Sequence, residues 1–285
     1  MPAADGRELE VLVIGQGMPM VFHHGTPGGV AVYQPMVDAA AEHGLSLVLY
    51  ARPGYGGSTP APGRIVAGAA ADVALILDHL GAQEFVTAGW SGGGPHALAC
   101  AHLMPGRCVA AATLAGVAPF DAAGLDWLAG MADENVGEFS TALAGSDALT
   151  VLLQEIGPLM QGLTADMLAD NIGDLASPPD KEAMRGDLGE YVAASFRAGL
   201  RPGIAGWRDD DLAFLAGWGF PVAASAGAAP VCVWQGDEDR MVPHAHGQWL
   251  ADHIPAARSH FSHGTGHMNL PFRAVFAELV EISGA

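Results

Sequence analysis

The chain has 285 residues, of which 50% are hydrophobic and 15% charged. That is ample material for one large core, and it excludes a disordered chain. With 31 acids against 12 bases the net charge is −19, a surface that repels a phosphate backbone and excludes nucleic acid as a partner.

No stretch approaches the roughly 20 apolar residues of a membrane span, and residues 1–10 lack a basic-then-apolar signal pattern. No membrane association and a cytoplasmic location are therefore expected. Oligomeric state is not legible. Cys100, Cys108 and Cys232 are widely spaced among small and apolar neighbours, which predicts buried free thiols.

Residues 8–14 and 20–24 read as short strands separated by the turn Gly15-Gln16-Gly17. Residues 30–43 read as a helix ended by Gly44. Residues 45–50 form an apolar run broken only by Ser46, the mark of a strand covered on both faces. A helix is expected over 65–80 with Gly81 as its stop. A strand over 85–88 leads through a Gly-rich turn into a helix ending near 103, and 109–114 is a further strand. This order implies a mostly parallel sheet flanked by helices.

Alternation then stops. From 119 to 228 helical runs dominate, with starts at Ser146-Asp147, Thr164-Ala165-Asp166 and Ser177-Pro178-Pro179-Asp180. Strand, helix, strand and helix return at 231–235, 244–253, 258–262 and 272–282. The expected organisation is a core of 1–118 and 229–285 with a helical insertion of 119–228. The insertion concentrates charge: residues 121–228 hold 17 acids and 5 bases. The expectation is a solvated outer face on a helical layer, against the alternative of a mouth that attracts cations.

Gly89-Trp90-Ser91-Gly92-Gly93 matches G-x-S-x-G and falls between a predicted strand and a predicted helix. A turn that sharp strains the serine backbone, and glycine at 89 and 93 removes collisions with neighbouring elements. The following helix aims free N–H groups at a developing oxyanion. A serine nucleophile needs a base, and the base an orienting acid. Gly236-Asp237-Glu238-Asp239 follows one late strand, and Gly264-Thr265-Gly266-His267-Met268-Asn269-Leu270 follows the last.

The order Ser91, Asp239, His267 resembles the catalytic triad of the α/β-hydrolase superfamily. Five stretches carry that resemblance over nearly the whole chain: His24-Gly25-Thr26-Pro27-Gly28, Arg52-Pro53-Gly54-Tyr55-Gly56-Gly57-Ser58, the elbow at 89–93, the acid loop and Gly266-His267. The resemblance implies an α/β-hydrolase fold with a helical cap entering after the sixth strand. It selects Asp239 as the triad acid, with Asp237 and then Asp121 as competitors. It also implies an oxyanion hole formed by the N–H groups of Thr26 and Gly92, with the Thr26 hydroxyl as a third donor. Arg52, His23 and His24 become structural groups.

His260, His263 and His267 could be read as a metal cluster, but on a strand His260 and His263 point to opposite faces, so no metal is expected. Gly54-Tyr55-Gly56 lacks the third glycine of a dinucleotide loop, so no cofactor is expected. Serine at the elbow does not fit the aspartate-dependent epoxide hydrolases and dehalogenases of this fold. The reading is a serine hydrolase of carboxylic esters or related small-molecule acyl compounds. The alternatives are an aminopeptidase resembling the proline iminopeptidases, whose elbow reads Gly-Gly-Ser-Trp-Gly, or a non-catalytic ligand-binding protein. Of the aromatics Trp127, Phe139, Tyr191, Phe196, Trp207, Phe214 and Trp218, one or two are expected to line the acyl pocket.

Overall fold

The computed structural model describes residues 1–3, 5–223, 228–269 and 271–284. Residues 224–227 of the helical segment and Leu270 of the histidine loop lie outside the described residues. Seven strands form one sheet in the order β1-β3-β2-β4-β5-β6-β7. They are β1 (Val11–Ile14), β2 (Met18–His23), β3 (Leu45–Tyr50), β4 (Phe85–Trp90), β5 (Cys108–Leu114), β6 (Val231–Gly236) and β7 (Arg258–Ser262). Only β1 runs antiparallel to its neighbour; every other pairing is parallel. This is the mostly parallel sheet that the alternating pattern predicts.

Parallel strands need crossovers, and the crossover helices cover both faces. Helices α1 (Gln34–Glu42) and α11 (Phe272–Ser283) cover one face. Phe272, Val275, Phe276 and Leu279 recur at helical spacing and are all buried there. Helices α2 (Gly68–Leu80), α3 (Gly94–Leu103) and α10 (His244–His253) cover the other. Every residue of β3 is buried as a result. The α2 stop is as expected: Gly81 has φ 68°, the left-handed conformation that glycine adopts at no steric cost.

Two local expectations change and a third holds. The helix expected from residue 30 begins at Gln34, because Pro35 sits in its first turn, where a ring without an N–H is tolerated. Ser146 is the first residue of its helix and not the cap; Gly145, at φ 123°, holds the cap position. Thr164 does cap its helix, accepting from the Met167 N–H at 3.2 Å.

Between β5 and β6 every described element is helical. These are α4 (Asp133–Ala144), α5 (Ser146–Gln161), α6 (Ala165–Asn171), α7 (Pro178–Ala183), α8 (Asp187–Gly199) and α9 (Ala205–Leu215). The segment follows the fifth strand of this chain, where the family resemblance implied a sixth. The expected ordinals counted one more strand ahead of the site than the described residues contain. The three cysteines are buried and free. Among the described residues no helix is long and apolar enough to cross a membrane.

Candidate active site

The end of β4 delivers Ser91. Its φ is 56°, the left-handed region that a residue with a side chain enters only under constraint. Ser91 to Gly93 make one 3₁₀ turn that runs directly into α3. The flanking glycines have a steric cause. A side-chain carbon at Gly89 would run into the Gly93 carbonyl, and one at Gly93 into the His23 carbonyl. Gly92 is pressed in the same way against the Thr26 hydroxyl. The first N–H groups of a helix have no intrahelical partner, so this turn presents free donors beside Ser91.

The loop after β2 passes close by. A side-chain carbon on Gly25 would stand 3.5 Å from the Ser91 Cβ. Buried polar groups hold this loop rigidly. His24 donates from Nδ1 to the Gly25 carbonyl at 2.7 Å and accepts at Nε2 from the Arg52 N–H at 3.3 Å. The Arg52 guanidinium, 1% exposed, donates to the carbonyls of His24 and Gly25 and to the Thr26 hydroxyl at 3.0 Å. Burial, and next the Arg52 charge, keep His24 neutral well below its ordinary range. His24 and Arg52 thus order the loop, in keeping with the structural role the resemblance implied.

The Thr26 hydroxyl is not a free third donor, contrary to expectation: it donates to Asp210 Oδ2 at 2.7 Å. Asp210, on α9, is fully buried; it also accepts from Arg52 at 2.6 Å and the Tyr55 hydroxyl at 2.8 Å, and forms an ion pair with Arg64 at 2.6 Å. Burial alone would raise its pKa. The two guanidinium groups outweigh burial and hold the carboxyl ionised, well below its ordinary range.

His267 Nδ1 donates to Asp239 Oδ2 at 2.8 Å, and both side chains are buried. The remaining capacity of Asp239 is filled by the Met241 and Val242 N–H groups at 2.9 and 2.8 Å and by Gln235 Nε2 at 3.0 Å. Four donors thus converge on this one carboxylate and hold it in place. Burial works against a charged His267, but the Asp239 charge and hydrogen bond, helped by Asp180, raise its pKa above the ordinary value. Asp237 goes elsewhere, to the exposed His263 at 2.6 Å and the Gly264 N–H at 2.8 Å. Asp121 is exposed.

Two contacts fix the histidine loop. Trp90, the variable residue of the elbow, donates to the His267 carbonyl at 3.1 Å. Asp180, at the start of α7, accepts from the His267 and Met268 N–H groups at 3.0 and 2.6 Å. A side chain at Gly266 would occupy the space of the Asp180 carboxylate. Neither Asp180 nor Asp210 was singled out for the site from sequence. For Asp180 the signal was its capping box with Ser177; for Asp210 it was the run of three acids, Asp209 to Asp211, inside one helix. These three acids and Asp180 are all buried, so the expectation that the acids of this segment only solvate an outer face fails for four of them.

The three histidines considered as a metal cluster turn to three different carboxylates. His260 pairs with Glu278 at 2.9 Å, His263 with Asp237 and His267 with Asp239. Among the described residues no group of three or more His, Cys, Asp or Glu side chains could hold a metal ion.

A cavity of about 680 Å³ is lined by Thr26, Ser91, Gly92 and His267 from the sheet side and by α4, α5, α8 and α9 from the helical side. Four of the seven aromatics considered line it, Phe139, Phe196, Trp207 and Phe214, against an expectation of one or two. More helices converge on the cavity than chain order reveals.

The chain is similar to known proteins over most of its length. A protein of Mycobacterium phage D29 that carries a non-heme haloperoxidase name is 29% identical over 224 residues, 75% of this chain and 80% of that protein. A bromoperoxidase structure from Bacillus anthracis superposes with a TM-score of 0.67 at 22% identity, covering 98% of this chain and 96% of that one. A carboxylesterase structure from Nitrososphaera gargenis reaches 0.71 at 15% identity, covering 100% and 98%. The model of the alpha/beta hydrolase fold family matches residues 18–274. With that match spanning nearly the whole chain, the protein belongs to the alpha/beta hydrolase family.

Proposed function

We propose that the protein is a serine hydrolase of carboxylic esters or related small acyl compounds. The observation that carries this reading is the Asp239–His267 pair, whose histidine lines a largely apolar cavity together with a serine at φ 56°. In the proposed cycle the Ser91 hydroxyl attacks the substrate carbonyl carbon and His267 takes its proton. Asp239 holds the imidazole with Nδ1 protonated, leaving Nε2 as the base, and stabilises the imidazolium that forms. The oxyanion is met by the N–H groups of Gly92 and Thr26, and positioned donors of this kind are worth about 10²–10³ in rate each. His267 returns the proton to the departing alcohol, and water repeats the sequence on the acyl-enzyme.

The helices of residues 119–228 act as a cap: they supply most of the apolar wall and exclude water from the acyl group. Asp210, Arg52 and Thr26 keep the oxyanion loop in place, and Asp180 keeps the histidine loop in place.

Hydrolysis of short aryl esters by the wild type, with labelling by a fluorophosphonate, tests the reading. Both signals should vanish in Ser91→Ala. Labelling without turnover of any ester or amino-acid arylamide would favour the ligand-binding alternative, and turnover confined to arylamides the aminopeptidase.

A further inference from the structure

Helix α5 is apolar on two sides. Leu149 and Leu153 are buried in a cluster with Ala142 and Trp207. Leu152, Ile156 and Met160 recur at every fourth residue, so they share another side of the helix. They are half-buried and line the cavity that Ser91 and His267 also line. Leu163, Ile172 and Leu175, from the chain that follows, add half-buried aliphatic wall to the same cavity. A helix apolar on more than one side needs cover on more than one side, and here the cover of the second side is what enters the cavity.

The polar side chains of the helical wall are engaged by the protein itself. Asn135 donates to the Met241 carbonyl at 3.1 Å, Thr141 to the Gly137 carbonyl at 2.8 Å and Ser195 to the Gly29 carbonyl at 3.3 Å. Glu138 accepts from the Trp207 indole N–H at 2.6 Å, and both Asp211 oxygens are enclosed by protein atoms. Asp133 and Glu134, in the first turn of α4, are exposed and meet solvent at the rim. These four acids line the cavity, and among the described residues no lysine or arginine does. An anion would face that field without a counter-charge, and any ion would have to leave water for an aliphatic wall, which is costly.

Size narrows the occupant further. The cavity of about 680 Å³ is far larger than a small ester: at about 30 Å³ for each water-sized group, methyl acetate takes on the order of 150 Å³. A chain of about eight to twelve carbons brings the occupant to about half of the space or more. We propose that the α5 side of the cavity is an alkyl-chain site that makes the protein selective for uncharged esters of aliphatic chains of about eight to twelve carbons, with Leu152 and Ile156 as specificity-determining contacts. This deepens the ester-hydrolase reading and rests on it for the reactive end of the cavity. Recognition comes from covered methylenes, each worth up to about fourfold in affinity, and not from a polar group of the wall.

The test is calorimetric binding of methyl esters, from butanoate to tetradecanoate, to the Ser91→Ala protein, which does not depend on turnover. Affinity should rise by about two- to fourfold for each added methylene and level off at about ten to twelve carbons. Monomethyl octanedioate, with a carboxylate at its far end, should bind at least about tenfold more weakly than methyl octanoate, and so should methyl 8-aminooctanoate. Adding Leu152→Trp or Ile156→Trp fills the alkyl site from adjacent turns of α5. Either should weaken decanoate binding by about tenfold or more and move the plateau to shorter chains, with methyl butanoate unchanged.

Affinity that does not grow with chain length, a plateau that neither tryptophan variant moves, or equal loss of short and long esters in both variants would overturn the proposal. Tighter binding of the dioate or the amino ester would overturn its uncharged character. Ester turnover by the wild type is measured separately, so failure of the hydrolase reading and failure of the alkyl-chain site are distinct results.

Discussion

The candidate site is held from two sides that are built differently. On the sheet side the groups are close in the chain and backbone-driven: Ser91, Gly92 and the elbow glycines lie within five consecutive residues, and their geometry follows from steric limits on one turn. On the helical side single acids reach across long chain separations. Asp210 bonds Thr26 and Arg52 from 184 and 158 residues away, and Asp180 bonds His267 from 87. The sheet side presents the proposed reactive groups, and the helical side fixes the loops beside them. The helical segment thus does more than cover the cavity: its buried charges are bonded into the loops after β2 and β7.

The division can be broken most severely on the sheet side. Ser91→Ala should lower ester turnover on the order of 10⁵-fold or more and abolish fluorophosphonate labelling. Full labelling of this variant would remove Ser91 from the mechanism. Next comes Asp239→Asn, expected to cost about 10³–10⁴ in kcat because the imidazole would hold the wrong tautomer. Asp237→Asn, whose side chain meets the exposed His263 and the Gly264 N–H and not His267, should stay within about tenfold of wild type under the same assay. The reverse order would transfer the orienting role to Asp237.

On the helical side Asp180→Asn keeps the shape but weakens the anchor under the histidine loop. Turnover should fall by roughly 10–100-fold with little change in KM, since a small misplacement of the base is felt mainly in the chemical step. The same variant has a pH signature. His267 must be neutral to accept the serine proton, so with its pKa raised, wild-type activity should fall away on the acid side with a midpoint above the ordinary histidine value of about 6.5. Asp180 contributes to that rise, so removing its charge should move the midpoint to lower pH. A profile that stays in place while the rate drops would reduce Asp180 to a steric prop.

Asp210→Asn is read in stability instead. It leaves the buried Arg52 and Arg64 without their counter-charge, an uncompensated burial that costs about 3–5 kcal/mol. For a chain of this size that lowers Tm by on the order of 5–10 °C. A calorimetric Tm within a degree or two of wild type would mean that the two arginines are balanced some other way.

What the sequence alone determined is local. The all-buried β3 follows from an apolar run broken only by Ser46, the stop of α2 from Gly81, and the strained turn at Ser91 from glycines spaced around one serine, because each depends on a few adjacent residues and a steric rule. The choice of Asp239 needed more. Asp237 and Asp239 lie two residues apart in one loop, and only the approach of the histidine loop sends the second to His267 and the first to His263. The burial of Asp180, Asp210 and Asp211 was decided wholly by tertiary structure. An acid on a helix reads as solvated unless its partners are known, and here the partners of Asp180 and Asp210, the His267 N–H and Arg52 with Arg64, sit on other elements, while Asp211 lies beside the Glu138 carboxyl. Coulombic and hydrogen-bond compensation across the fold is what makes a buried charge tolerable, and it leaves no pattern in the neighbouring residues of the chain.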